Sequence, residues 1–186
     1  MEVSTALLVA IMFVTILGMG IGNILTSLAE ITRMGRKESP HPIHISWMIL
    51  LLLVHLRMFW FTVDVLAISN WRFIGFLGII VGPILLFFST GVLLAGRESK
   101  AEKNTIDDYF KVSSRFFVLV ALIQPWTIAA DFSMGRGLTG PGMVNLAILA
   151  LTVVLASSKH YPLHVAGAGL AWILTLLSWL LHAVNA

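Results

Sequence analysis

The 186 residues are 58% hydrophobic and 11% charged, with a mean hydropathy of +0.94, and include no cysteine. Such a chain is solvated mostly by lipid: at ~20 residues per helical crossing it has room for about six spans and little left for a soluble module. The lack of cysteine excludes disulfides, thiolate catalysis, iron–sulfur clusters and Cys-type zinc sites, and the formal charge of +3 sits in short loops, where membrane topology accounts for it better than nucleic-acid binding.

Length and continuous apolarity predict helices at Thr5 to Thr32, Ile43 to Ile68, Trp71 to Ala95, Ile106 to Phe132, Met143 to Ser157 and Leu163 to Val184. The expected fold is all-α, a single domain over residues 1–186 built as a bundle of about six transmembrane helices. The leading end of the first helix carries Glu2 and no basic residue. Its apolar stretch is too long for a signal peptide, so it is expected to stay in the mature protein. Gly18 and Gly22, four apart and continuing into Thr26, mark a close-packing face. Asn23 beside them can add an interhelical hydrogen bond worth about 1 kcal/mol.

Arg57 makes the second helix the most informative element, because it lies near the middle of the apolar run Ile43 to Ile68, with Asp64 two turns later on the same face. A charge at that depth is costly unless something receives it. At roughly 100° per residue, Arg57, Trp60, Phe61 and Asp64 form one stripe. His44, Met48, Leu51, His55, Phe59 and Thr62 form a second on nearly the opposite side. Lipid covers neither cheaply, which places this helix at the centre of the bundle with neighbours on both sides. Arg57 and Asp64 either lock helix packing or line a pathway.

The third helix carries Gly75, Gly78 and Gly82, the last directly before Pro83 at mid-depth. In the fourth, Thr105 and Asp108 resemble a capping box, so the helix is expected to start before the membrane with Ile106, Tyr109 and Phe110 at the interface. The basic residues of the loop before it suit an anionic inner leaflet. Further along, Gln124 comes level with Arg57, and Asp131 with Asp64. Pro125 leaves backbone carbonyls one turn back without a partner, open to a cation or a donor, or else it merely bends the helix. Asp131 either joins this cluster or faces water at the helix end.

The fifth helix is short and must recruit part of Leu138 to Gly142 to cross. The loop Phe132 to Gly142, with Gly135, Gly137, Gly140 and Gly142, lacks the GK[ST] ending of a phosphate loop and is expected to be a flexible connector. In the sixth, Gly167 and Gly169, set among Ala166, Ala168 and Ala171, mark a second close-packing face.

Two histidine pairs, His41 with His44 and His160 with His164, sit at one depth and could bind a divalent ion if their helices adjoin. Neither has the HExxH form, and Pro162 disturbs the second pair, so no metal is assigned. Haem would need facing histidines at matched depth; His55 has no such partner, and His182 lies nearer the outer surface. No cofactor is implied.

Basic residues alternate between the loops: one set holds nine, from Arg33, Arg36 and Lys37 through Arg97, Lys100, Lys103, Lys111 and Arg115 to Lys159, and the other only Arg72 and Arg136. By the positive-inside rule the first set is cytoplasmic and both termini lie outside. Trp71 and Trp179 near the outer boundary, and Trp47 and Tyr161 near the inner one, fit aromatic belts.

His44 to His55 (HISWMILLLLVH) and Asp108 to Phe117 (DYFKVSSRFF) resemble a group of small bacterial multi-pass membrane proteins with no established activity. The resemblance implies a cell inner-membrane location and carries over no functional residue. The residues themselves lead to the expectation of a protein that moves, or responds to, a small charged solute or protons. Arg57 would be its buried cation, Asp64 and Asp131 counter-ions or proton acceptors, Gln124 a neutral hydrogen-bonding group and His55 a titrating group. The alternative is a scaffold or accessory subunit whose charges fix helix packing and whose glycine faces bind another membrane protein or a second copy. An embedded enzyme is a third class, for which no nucleophile and base stand together.

Overall fold

The computed structural model describes residues 4–33, 40–68, 70–95, 106–137 and 140–185, with side chains as far as Leu181. The helices are α1 (Thr5–Arg33), α2 (Pro42–Trp60), α3 (Thr62–Leu66), α4 (Phe73–Ala95), α5 (Ile106–Ser133), α6 (Gly140–Ser157) and α7 (Tyr161–Asn185). No strand occurs among the described residues. With α2 and α3 taken together as Pro42–Leu66, six helices are long and apolar enough to cross a membrane. The basic residues Arg36, Lys37, Arg97, Lys100 and Lys103, Thr105 of the expected capping box, Leu138 and the side chain of His182 lie outside the described residues.

Most helix ends lie within two residues of the sequence expectation, and two departures are larger. The continuous helix over Ile43 to Ile68 is interrupted at Phe61, where φ −59° and ψ −16° end α2 and a fresh turn begins at Thr62. Aromatic and β-branched residues run unbroken from Phe59 to Val63, and their crowding of the preceding turn makes this a weak stretch of helix. The ring of Phe61 is lodged between Phe13 of α1 and Trp126 of α5, at centroid distances of 6.1 and 6.3 Å. At the other boundary, α6 begins at Gly140 and not Met143, with Pro141 in its first turn, where a missing N–H costs nothing. Its 18 residues rise about 27 Å.

Around the bundle, α1 packs on α4, α4 on α5, α5 on α6 and α6 on α7, while α2 touches α1, α4 and α7 and so closes the ring. The Trp172 indole N–H donates to Ser46 Oγ (3.0 Å), tying α7 to α2. Trp47 stands edge-on to Phe116 and Phe117 of α5 at 5.8 and 4.9 Å. Buried to 4% exposure, Trp47 is a core residue and not part of an interfacial belt. Of the two expected stripes on the second span, His44, Met48, Leu51, His55 and Thr62 are buried, but Phe59 and Trp60 point outward, exposed to 48% and 70%.

The glycines that allow close approach are only partly the expected ones. Gly18 and Gly22 are exposed, and a Cβ on either would meet nothing within 4 Å; the same holds for Gly169. Close approach falls at Gly20, which the sequence did not single out and where a Cβ would overlap the His55 ring, and at Gly82, which carries the Trp126 indole, while Gly75 and Gly78 meet nothing within 4 Å. Gly167 does serve packing: its Cβ would come within 2.7 Å of Leu155.

Candidate binding cavity

A cavity of about 170 Å³ lies between α2, α4, α5, α6 and α7. Helical spacing explains its walls. On α2, Trp47, Leu50, Val54, Arg57 and Phe61 recur every three or four residues; on α5, so do Phe116, Val120, Gln124, Thr127 and Asp131. The antiparallel chain path grades these walls from one end to the other. Trp47 and Phe116 give an aromatic floor, Gln124, Asn145, Thr152 and Thr175 a band of amides and hydroxyls, and Arg57, Asp131 and Arg136 a charged mouth.

At the mouth, Arg136 holds the carboxylates. Its Nη2 lies 2.7 Å from Asp64 Oδ1 on α3, and its Nη1 3.5 Å from Asp131 Oδ1 on α5. The fold aims it there through a Schellman cap: Gly135, at φ 76°, lets the chain reverse, its N–H donates to Phe132 O (3.0 Å), and the Arg136 N–H donates to Asp131 O (3.0 Å). Gly137, at φ 64°, continues the turn. The segment is therefore a defined cap around Arg136 and not a loose connector. The hydrogen bond to Asp64 is the main influence keeping the Arg136 guanidinium above its ordinary value, so it stays charged.

Arg57 is half-buried and lines the cavity. Asp64 and Asp131 attract it and Arg136 repels it through space, yet among the described residues the guanidinium within ion-pair range of Asp64 belongs to Arg136, and Arg57 forms no ion pair. The expected Arg57–Asp64 pairing is thus replaced by Arg136–Asp64. Gln124 reaches the same wall, its amide N–H donating to Val120 O (3.2 Å) one turn back, while α5 runs unbroken through Pro125.

His55 is not brought to this site. It is fully buried where α1, α2 and α4 meet, with Nδ1 2.8 Å from Leu51 O and Nε2 3.4 Å from Thr90 Oγ1. The histidine pairs at the opposite end of the bundle are held by aromatic packing. His164 Nδ1 accepts from the Tyr109 hydroxyl (2.8 Å) and its Nε2–H donates to Ser158 O (2.8 Å), so both nitrogens are engaged. His44 stands edge-on to Tyr109 at 6.3 Å, His41 edge-on to Tyr161 at 5.5 Å, and His160 is exposed. Among the described residues, no three His, Asp or Glu side chains are grouped to hold a metal ion.

Sequence reasoning missed Arg136 as a site residue. A glycine just past an apolar helix is a C-cap signal, and reading Gly135 that way folds Arg136 back over Asp131. It also missed Trp126, whose indole N–H donates to Gly78 O on α4 (2.7 Å) and braces the cavity wall. No protein-family model, curated protein or solved structure matches this chain.

Proposed function

We propose that this chain is a multi-pass membrane protein that binds a small charged solute in the central cavity and passes it across the bilayer. The observation that carries this reading is Arg57, a permanent cation lining a polar-banded cavity while the nearby carboxylates are engaged by Arg136. A structural lock would spend its charges on each other; here one is left facing the cavity. In this reading both termini lie outside and the histidine-bearing end is cytoplasmic, following the basic-residue bias. The protein resides in a bacterial inner membrane, and the Arg136–Asp64–Asp131 cluster closes the outer mouth.

The test is flux. In proteoliposomes the parent chain should carry solute or protons, and Arg57→Gln should abolish flux while keeping the parent's melting temperature. Undiminished flux through Arg57→Gln overturns the reading. A non-transporting accessory subunit is the second reading, favoured by Gly18, Gly22 and Asn23 lying exposed on the outer face of α1. It predicts that large residues at Gly18 and Gly22 remove a partner helix and leave the cavity mutants silent.

A further inference from the structure

We infer that the cavity ligand is a small monoanion with a compact apolar body, a short-chain carboxylate, seated with its carboxylate on Arg57 and its hydrocarbon end toward Trp47 and Phe116. The inference rests on the proposed function in taking the cavity as the solute site, but it concerns what binds and not whether the ligand crosses.

Charge, shape and size each point the same way. The guanidinium of Arg57 is cationic at any physiological pH and makes no ion pair among the described residues, whereas Asp64 and Asp131 are both held by Arg136 at the mouth. An incoming cation would therefore meet repulsion at Arg57 and find the carboxylates already engaged. An anion would meet a planar fork of N–H donors, which suits a carboxylate held through two parallel hydrogen bonds. Asp131 also lines the mouth, and its charge opposes any anion that does not reach past it to Arg57, which disfavours large or multiply charged species.

Between Arg57 and the floor of Trp47 and Phe116, Leu50, Leu51, Val54, Val120 and Ile123 make most of the α2 and α5 walls. Within the polar band, Thr127 and Thr152 donate their hydroxyls to their own helix backbone, at Ile123 O and Ile148 O (both 2.9 Å), and Gln124 gives an amide N–H to Val120 O, so three members of the band spend a donor on backbone and not on a second anionic group. A single carboxylate followed by hydrocarbon fits this order, with Trp47 and Phe116 at the far end. An apolar cavity of about 150 Å³ accommodates benzene, and this one measures about 170 Å³. The ligand is accordingly limited to about the bulk of butyrate up to benzoate.

The experiment is titration of the purified full-length protein in nanodiscs, read by tryptophan fluorescence and by calorimetry, with butyrate, benzoate, butylammonium and chloride as probes. Butyrate and benzoate should bind, butylammonium should not, and a tenfold excess of chloride should leave butyrate binding in place. Arg57→Gln should weaken carboxylate binding roughly ten- to a hundredfold, the effect of losing a charge-assisted hydrogen-bonded pair. Val54→Phe, which keeps Arg57 and fills the cavity, should block benzoate more than butyrate and guards against misfolding of the charge variant. Preferential butylammonium binding, or unchanged carboxylate affinity in Arg57→Gln, overturns the inference. Carboxylate binding without carboxylate flux in liposomes supports the ligand and overturns transport; cation flux with no carboxylate binding does the reverse.

Discussion

Substituting Gly20 by alanine places a methyl group inside the ring of His55, which is fully buried and fixed at both nitrogens by Leu51 O and Thr90 Oγ1. The methyl cannot be accommodated by a flexible chain end, because the clashing atoms belong to a rigid ring. Overpacking of this kind costs about 1–3 kcal/mol, and loss of the His55 hydrogen bonds adds about 1 kcal/mol. Against this, alanine gains about 1 kcal/mol over glycine in helix propensity, leaving Gly20→Ala destabilised by about 1–3 kcal/mol. Two residues away, Gly22→Ala meets nothing within 4 Å and keeps only the propensity gain. The two variants should therefore differ by about 2–4 kcal/mol in reversible unfolding by SDS from mixed micelles. Equal stabilities would refute the packing of α1 on α2 described above.

Arg136→Gln should change stability by less than about 1 kcal/mol, because Arg136 and Asp64 are each more than a third exposed and such pairs are screened, yet it should raise solute flux by loosening the mouth; tracer uptake by variant and parent checks this. Because Asp64 raises the Arg136 value, the arginine's contribution is present at all pH below its ordinary value and is lost only as pH climbs past the raised one, so the small melting difference between parent and variant should show no arginine titration from pH 7 to 11. Tyr109→Phe removes the donor to His164 Nδ1 and leaves a buried acceptor unsatisfied, costing about 1–3 kcal/mol in the same unfolding assay; an unchanged midpoint would refute that hydrogen bond. Since the chain has no cysteine, Ser4→Cys and Ser158→Cys each carry one label: an impermeant maleimide added outside intact cells should modify the first and spare the second.

Six apolar segments and their approximate positions were legible because lipid imposes a simple rule, a long apolar run for each crossing. The break at Phe61 was hidden because hydropathy does not distinguish a continuous helix from two collinear ones. Gly18, Gly22 and Gly169 were misassigned for a related reason: spacing identifies which small residues share a face, and only the packed bundle shows whether that face meets a neighbour. At the site, Arg57, Gln124 and Asp131 stand out as polar residues in apolar runs, and all three line the cavity. Their pairing was not legible. Residues seven apart share a helix face but are separated by about 10 Å of rise, beyond the three- and four-residue spacing at which side chains meet, which left Asp64 open to a partner from elsewhere. That partner came from a turn whose geometry depends on the left-handed conformation of Gly135.

The modest length of α6 bears on the membrane itself. Its 18 residues provide about 27 Å of height, against a hydrocarbon slab of about 30 Å, and an ordinary tilt of ~20° would leave only about 25 Å. The 29-residue α1 rises about 43 Å and, in the same slab, would lean or project. In the proposed membrane setting, lipid around the α6 flank would be pinched by a few ångströms, α6 would be held nearly upright, and bilayer thickness would become a mechanical input to the wall that carries Asn145 and Thr152.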